Sequence, residues 1–215
     1  MDAALQEITP KERILKRIRE ALTAAPVPVE RAIDLDSPVF VPAGATLDVV
    51  FAENFVHRGG RFVYCENMEE ALQSLRFLVE ENGWRDHIFC RDESVESILQ
   101  WAGIPYGKEP ADGVLKKTGI CACRCLVAND GSILFDSASA GRRIFAQAET
   151  IVFIASVEQI LPDLRTFWKV RKGNLPSMTS LWTGNSHFVD VDGVPLQGFG
   201  PKETFLLLID NLEKR

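Results

Sequence analysis

The sequence predicts an α/β protein built on a largely parallel sheet. Strand and helix patterns alternate between residues 47 and 102, as they do in βαβ units. Ile151–Ala155 is a compact apolar run of the kind that forms a buried strand. The chain has 215 residues, of which 46% are hydrophobic, and a chain of this size can bury a continuous core without metal or disulfide support.

The first predicted element is a helix at the N-terminus. Thr9 can cap it, Pro10 suits the first helical position, and Glu12 lies three residues after the cap. Apolar residues then recur every four positions from Ile14, and the opposite face is mostly basic. The helix should end before Pro26, which cannot continue it.

Five further elements are predicted before residue 103, and turn residues punctuate them. They are a helix over Leu47–Arg58, a strand over Arg61–Cys65, a helix over Met68–Asn82, a strand over His87–Cys90 and a helix over Ser94–Ala102. Residues 1–45 are therefore assigned to an N-terminal helix and irregular extension, and residues 46–215 to one α/β domain.

The second half carries strand patterns at shorter intervals. Gly119–Val127 and Ser132–Phe135 are predicted strands joined by a tight turn at Asn129-Asp130-Gly131. Val157–Val170 is predicted to be helical, bent or broken at Pro162. A strand is also predicted over Thr179–Thr183, whereas Phe205–Ile209 fits either a final strand or a short helix.

Charge and hydropathy exclude several classes of protein. The formal net charge is −6 and the pI about 5.2, which argues against a nucleic-acid-binding protein. The longest apolar stretches are far shorter than the roughly 20 residues that a membrane span needs. The first thirty residues lack the apolar segment of a signal peptide. We therefore expect a cytoplasmic protein.

The five cysteines include an alternating set, Cys121, Cys123 and Cys125. In one strand, this spacing would place all three on the same face. They could form a thiolate metal site or pack as small apolar side chains. The spacing differs from that of common zinc and iron–sulfur sites, which favours packing and predicts no metal in this chain.

Glycine-containing stretches mark the candidate site. Asn129–Ser132 can form a sharp turn that directs amide groups into a cavity. Ser137–Arg143 combines small residues with Arg142 and Arg143, which can bind a carboxylate or phosphate. Two further loops, 183–187 and 198–203, carry hydroxyl, amide and basic side chains and could surround anionic oxygens.

These stretches resemble the LUD domain family, of the lactate-utilisation protein C type. Members show motifs like T-G-A-D-x-x-I-A-E-T-G-T-L, S-x-G-R-x-R, S-G-P-S-R-T-A-D-I-E and G-x-H-G-P-K-E. The corresponding segments here are 120–134, 140–143, 183–192 and 198–203, and the last is the closest match. The resemblance covers roughly residues 45–212 and is most specific from 115 onward.

The resemblance implies a three-layer fold like the NagB/RpiA/CoA-transferase group, with a twisted, mostly parallel sheet and helices on both faces. It also implies a role in oxidising lactate to pyruvate, within a complex whose partner carries iron–sulfur clusters. Asn129-Asp130-Gly131 replaces the family's E-T-G, so the usual Glu is absent. Arg124 stands where the family has an acid.

The leading hypothesis is an accessory subunit of such a system that binds a small anionic ligand where the four stretches converge. The candidate ligand-binding residues are Asn129, Gly131, Ser132, Arg142, Arg143, Thr183, Gly184, Asn185, Ser186 and Lys202. An alternative is a stand-alone isomerase or acyl/CoA-transferase-like enzyme, with Asp130 as base or nucleophile and His187 as acid–base partner. A third is a non-catalytic scaffold with a vestigial pocket, whose basic first helix docks a partner.

Overall fold

The computed structural model describes residues 10–24, 46–109, 117–142, 144–171, 173, 176–185, 187–189, 195–197 and 200–211. The chain divides into two compact units, Met1–Val41 and Pro42–Arg215. In the first unit, helix α1 spans Pro10–Ala24, which confirms the predicted N-terminal helix. Within the described residues, no helix is both long and apolar enough to cross a membrane.

The described residues of the second unit alternate between helices and strands up to residue 102, as predicted. The helices are α2 (Leu47–His57), α3 (Met68–Glu81), α4 (Glu93–Ala102), α5 (Ile144–Gln147) and α6 (Leu164–Val170). The strands are β1 (Arg61–Asn67), β2 (Ile88–Phe89), β3 (Thr118–Ala122), β4 (Cys125–Val127), β5 (Ser132–Asp136), β6 (Thr150–Ser156), β7 (Ile160–Leu161), β8 (Thr179–Trp182), β9 (His187–Val189), β10 (Pro195–Gln197) and β11 (Glu203–Asn211).

The central sheet is parallel throughout and has the strand order β1-β11-β6-β3-β2. Its middle strands β6 and β11 alternate their side chains between two cores. Ile151 and Phe153 of β6 join the core formed with α2 and a second sheet. Val152 and Ile154 join the core formed with α3 and α4. The α/β fold with a mostly parallel sheet is therefore confirmed, and Phe205–Ile209 is a strand rather than a helix.

A second, four-stranded sheet of order β7-β4-β5-β8 shares its core with the central sheet. On its other side, Leu164 and Phe167 at α6 pack against a small apolar cluster of β4 and β5. Helices thus lie on both faces of the central sheet, but α2 shares its face with a sheet that the sequence patterns did not predict. The finer likeness to the NagB/RpiA group remains a prediction.

Two predicted elements were wrong. The strand expected over Gly119–Val127 is two strands, because the chain leaves the central sheet at Ala122 and enters the second sheet at Cys125. The helix expected over Val157–Val170 begins with a 3-10 turn and the short strand β7, which pairs with β4. Only Leu164–Val170 is α-helical, with Asp163 as its N-cap.

The turn between β4 and β5 lies directly against helix α2. Gly131 has a φ of +68°, in the left-handed region that glycine tolerates best. A Cβ at this position would overlap the backbone of Asn54 and Phe55, at 2.8 Å from the Phe55 Cα atom. Asn54 Nδ2 also donates to the backbone oxygens of Ala128 and Asn129, at 2.8 and 3.2 Å. The turn therefore fixes α2 on the second sheet.

We expect Gly131→Ala to lower the free energy of unfolding by about 1–3 kcal/mol more than Gly83→Ala does, because the added methyl group overpacks the contact with α2. Gly83 is a matched control: its φ is +67° and the space beside it is open. Gly83→Ala should lower the free energy of unfolding by about 1–2 kcal/mol, because alanine adopts the left-handed conformation less readily than glycine. Urea denaturation of both variants measures the difference, and equal losses would contradict the close approach.

Candidate functional site

A cavity of about 480 Å³ borders the edge strand β8 of the second sheet. Its walls come from the end of β5, the segment around α5, strand β8 and the residues that precede β11. The lining residues are Phe135, Arg142, Ala146, Met178, Ser180, Leu181, Trp182, Thr183, Gly184, Gly200 and Pro201. Parts of three of the four predicted stretches therefore share one cavity.

Arg142 is the charged residue of this lining. Its Nε donates to Ser177 Oγ at 3.1 Å, and Ser177 Oγ lies 3.0 Å from Ser137 Oγ. No carboxylate of the described residues forms a salt bridge with Arg142. The side chain is thus held by the neutral hydroxyl group of Ser177, which leaves its positive charge available to an anion.

Thr183, Gly184 and Asn185 are held by the end of α2. Arg58 Nη1 donates to the Thr183 carbonyl oxygen at 3.0 Å, and the Asn185 N–H donates to the Arg58 carbonyl oxygen at 3.3 Å. Asn185 Nδ2 donates to the Gly59 carbonyl oxygen at 2.7 Å. These bonds place Thr183 and Gly184 at the cavity and direct the Asn185 amide group toward α2.

The turn Asn129–Ser132 does not line this cavity. The Asn129 N–H donates to the Pro162 carbonyl oxygen at 3.2 Å, and Asp130 Oδ1 accepts from the Ser132 N–H at 3.0 Å. Ser132 is fully buried, and its Oγ has no hydrogen-bond partner among the described residues. The described contacts of this turn are with α2 and with the segment at Pro162. We expected all four stretches to meet at one site, but this turn does not join the other three.

The remaining candidate residues divide into two groups. Lys202 Nζ donates to Glu149 Oε1 at 2.5 Å, so a neighbouring carboxylate compensates its charge. Arg143, Ser186 and the side chain of His187 lie outside the described residues. His187 is the first residue of β9 and pairs with Gln197 of β10. The roles predicted for these residues stay predictions.

The ion pair between Arg124 and Asp136 was not predicted from the sequence. Arg124 Nε and Nη2 donate to the Asp136 carboxylate at 2.5 and 3.1 Å. Asp136 is 5% exposed and also accepts from the backbone N–H groups of Ala138 and Ser139. Burial alone would raise the pKa of Asp136, but these hydrogen bonds outweigh it and hold the pKa below its usual value. The pair stabilises the start of the loop that leads to Arg142.

The alternating cysteines do not share one face. Cys121 and Cys123 belong to the core between the sheets, whereas Cys125 lies in the cluster under α6. All five cysteines are free and buried, and no group of three or more potential metal ligands occurs in the described part of the chain. Burial raises the pKa of the Cys90 and Cys125 thiols to about 12. These properties agree with apolar packing.

Comparison with known proteins finds a family similar to part of this chain and a solved structure with a similar fold. Residues 114–209 match the family model of the LUD domain. A crystal structure of a DUF162 family protein from Deinococcus radiodurans matches with a TM-score of 0.54 and 13% identity, over 76% of this chain and 96% of that one. At this identity the structural match shows the fold alone. No curated protein matches the sequence.

The fold is therefore that of the DUF162 proteins, now called LUD. Residues 114–209 are similar to the LUD domain, a family related to the lactate-utilisation proteins. The sequence resemblance to this family rests on the segments 120–134, 140–143, 183–192 and 198–203. The sequence analysis missed Ser177, which contacts Arg142, and Trp182, which lines the cavity, because neither residue belongs to a recognisable motif.

Asp136→Asn should lower the free energy of unfolding at pH 7 by about 1–3 kcal/mol, because it weakens charge-assisted bonds at a buried position. The native pKa of Asp136 is depressed, so its contribution is present above the unfolded pKa of about 4 and disappears as the pH falls through the native value. Urea denaturation at pH 7 and pH 3 should show the difference from wild type shrinking in acid.

The matched control for this prediction is Glu203→Gln, which disrupts the exposed Arg61–Glu203 pair. This substitution should cost less than about 1 kcal/mol at pH 7. A loss at Asp136 no larger than the loss at Glu203 would contradict the stabilising role of the Arg124–Asp136 pair.

We expect the native protein to react slowly with a thiol reagent at pH 7.5, because every cysteine is buried and the pKa values are raised. A colorimetric disulfide reagent should titrate five thiols in denaturant and release almost no colour from the folded chain within minutes. Dialysis against zinc, followed by metal analysis, is the control: stoichiometric zinc would favour the thiolate site over core packing.

Proposed function

We propose that this chain is a LUD-domain protein that serves as an accessory subunit of a system that oxidises lactate to pyruvate, and that it binds a small anionic ligand through Arg142. The observation that carries the proposal is the state of this side chain. Arg142 lines a cavity, the neutral hydroxyl group of Ser177 positions it, and no carboxylate among the described residues neutralises it. Such an arginine can form two parallel hydrogen bonds with a carboxylate or phosphate.

The backbone around the cavity supports the same proposal. Thr183, Gly184 and Gly200 place small side chains and backbone groups near the space that faces Arg142. Gly184 and Gly200 have φ values of +146° and +113°, which a side chain would rarely adopt. At Gly200 nothing lies within 4 Å of the place of a Cβ atom, so a ligand can approach the main chain closely there, whereas Arg58 occupies the corresponding space at Gly184.

Oxidation of lactate releases two electrons, which need an acceptor outside this arrangement of residues. We assign the iron–sulfur clusters of the system to a partner protein, as the family resemblance implies. The distribution of the thiols supports this assignment. Cys121 and Cys125 pack in different apolar clusters, and burial raises the pKa of both thiols, whereas a cluster is held by thiolates.

Isothermal titration calorimetry of the dialysed full chain tests the anion-binding part of the proposal. Lactate, pyruvate, an acyl-CoA and a sugar phosphate serve as probes, and at least one should bind. Arg142→Gln should then raise its Kd by about 10- to 100-fold, because charge-assisted hydrogen bonds contribute roughly 1.5–3 kcal/mol.

Arg85→Gln is the control variant, since Arg85 is an exposed arginine in the turn between α3 and β2 and does not line the cavity. It should leave the Kd unchanged. An absence of binding by all four anions would refute the proposal, and so would equal losses in the two variants.

A further inference from the structure

The cavity at Arg142 is larger and more apolar than a three-carbon hydroxy acid requires. Its volume is about 480 Å³. A water molecule occupies about 30 Å³ in the liquid, so an acid with six heavy atoms would fill at most roughly 180 Å³ at that packing. More than half of the space would remain for another part of the ligand.

The composition of the walls indicates what that other part is. Apolar side chains form much of the lining: Phe135, Ala146, Met178, Leu181, Trp182 and Pro201. The Trp182 ring packs against the Phe55 ring, with the ring centroids 5.1 Å apart. A cavity with mostly apolar walls and few polar groups suits a ligand with a hydrophobic body and one polar end.

The polar groups lie where they could orient such a ligand. In the β5–β8 ladder, the Ser137 N–H donates to the Met178 carbonyl oxygen at 2.9 Å, and Phe135 and Ile133 pair with Ser180 and Trp182. Hydrogen-bonded positions alternate along antiparallel strands. The backbone groups of Leu181 therefore point away from β5, along the edge of β8 that borders the cavity.

Trp182 offers a second donor beside this edge. The residue is 4% exposed, and its indole N–H has no acceptor among the described residues. A buried donor of this kind normally has a partner. A polar atom of a bound molecule would supply one.

We infer that the cavity takes an amphipathic monoanion, whose carboxylate or phosphate pairs with Arg142 and whose apolar body of several carbons lies along Met178 and Trp182. This inference rests on the proposed anion site and narrows its ligand class. Short acids such as lactate occupy the charged end alone and bind weakly.

A chain-length series tests the inference by calorimetry on the full chain. The probes are lactate, 2-hydroxyhexanoate and 2-hydroxyoctanoate, with 1,2-hexanediol as the neutral analogue. Each added methylene should tighten binding about fourfold, so the six-carbon acid should bind roughly 60-fold more tightly than lactate. The heat-capacity change should become more negative with chain length.

Two variants separate the charged end from the apolar walls. Arg142→Gln should weaken all three acids by a similar factor and leave the dependence on chain length intact. Met178→Ser should flatten that dependence. Met68→Ser is its matched control, because Met68 is half-buried like Met178 and does not line the cavity.

The outcomes distinguish this inference from the function proposed above. Arg142-dependent binding of all three acids with equal Kd would overturn the apolar part and leave the anion site. Binding of hexanediol as tight as that of the six-carbon acid would overturn the anionic part. Binding by none of these probes would overturn the inference. The anion site itself would be refuted only if pyruvate, the acyl-CoA and the sugar phosphate also failed to bind.

Discussion

Burial of the middle strands on both faces is the constraint that organises this fold. Strands β6 and β11 send alternate side chains into two separate cores, as Ile151 and Val152 show within one strand. Neither face of such a sheet can remain in water, because each exposes a continuous apolar surface. Helices α3 and α4 cover one face. The other is covered by α2 and the second sheet, whose position therefore follows from the need to bury this surface.

The cavity is a consequence of how that second layer ends. Among the strands that the structure describes, β8 pairs with β5 alone, so its other edge needs a neighbour. Segments that lead into β6 and β11 approach this edge through Ala146 and Pro201, and they enclose space instead of adding a strand. The walls are apolar because they continue the core between the sheets, to which Phe135 and Trp182 also belong. Arg142 enters from a loop that the Asp136 carboxylate anchors at its start.

Local signals explain which parts of the fold could be predicted. Asn67 and Asp92 cap α3 and α4 with their own side chains, and Gly103 ends α4 in the left-handed conformation. Residues next to these helix boundaries therefore determine where the helices begin and end. The crossing from β3 to β4 has no such signal. The alternating pattern around Cys123 continues across it, since both strands are buried, and only the pairing of β4 with β7 and β5 reveals the change of sheet. Short strands that depend on distant partners are not predictable from periodicity.

The candidate site shows the same division between local and long-range causes. A glycine in a turn indicates that another group approaches the backbone closely, but the sequence does not identify that group. At Gly131 that neighbour is the backbone of α2, whereas Gly184 meets the Arg58 carbonyl oxygen and also borders the cavity. For an arginine, the sequence likewise does not show which carboxylates lie close to it. The sequence alone does not show that Asp136 compensates Arg124, whereas among the described residues Arg142 donates to the neutral hydroxyl group of Ser177. The distribution of countercharges in three dimensions, rather than the presence of a motif, therefore distinguishes Arg142, which has no carboxylate partner among the described residues, from Arg124.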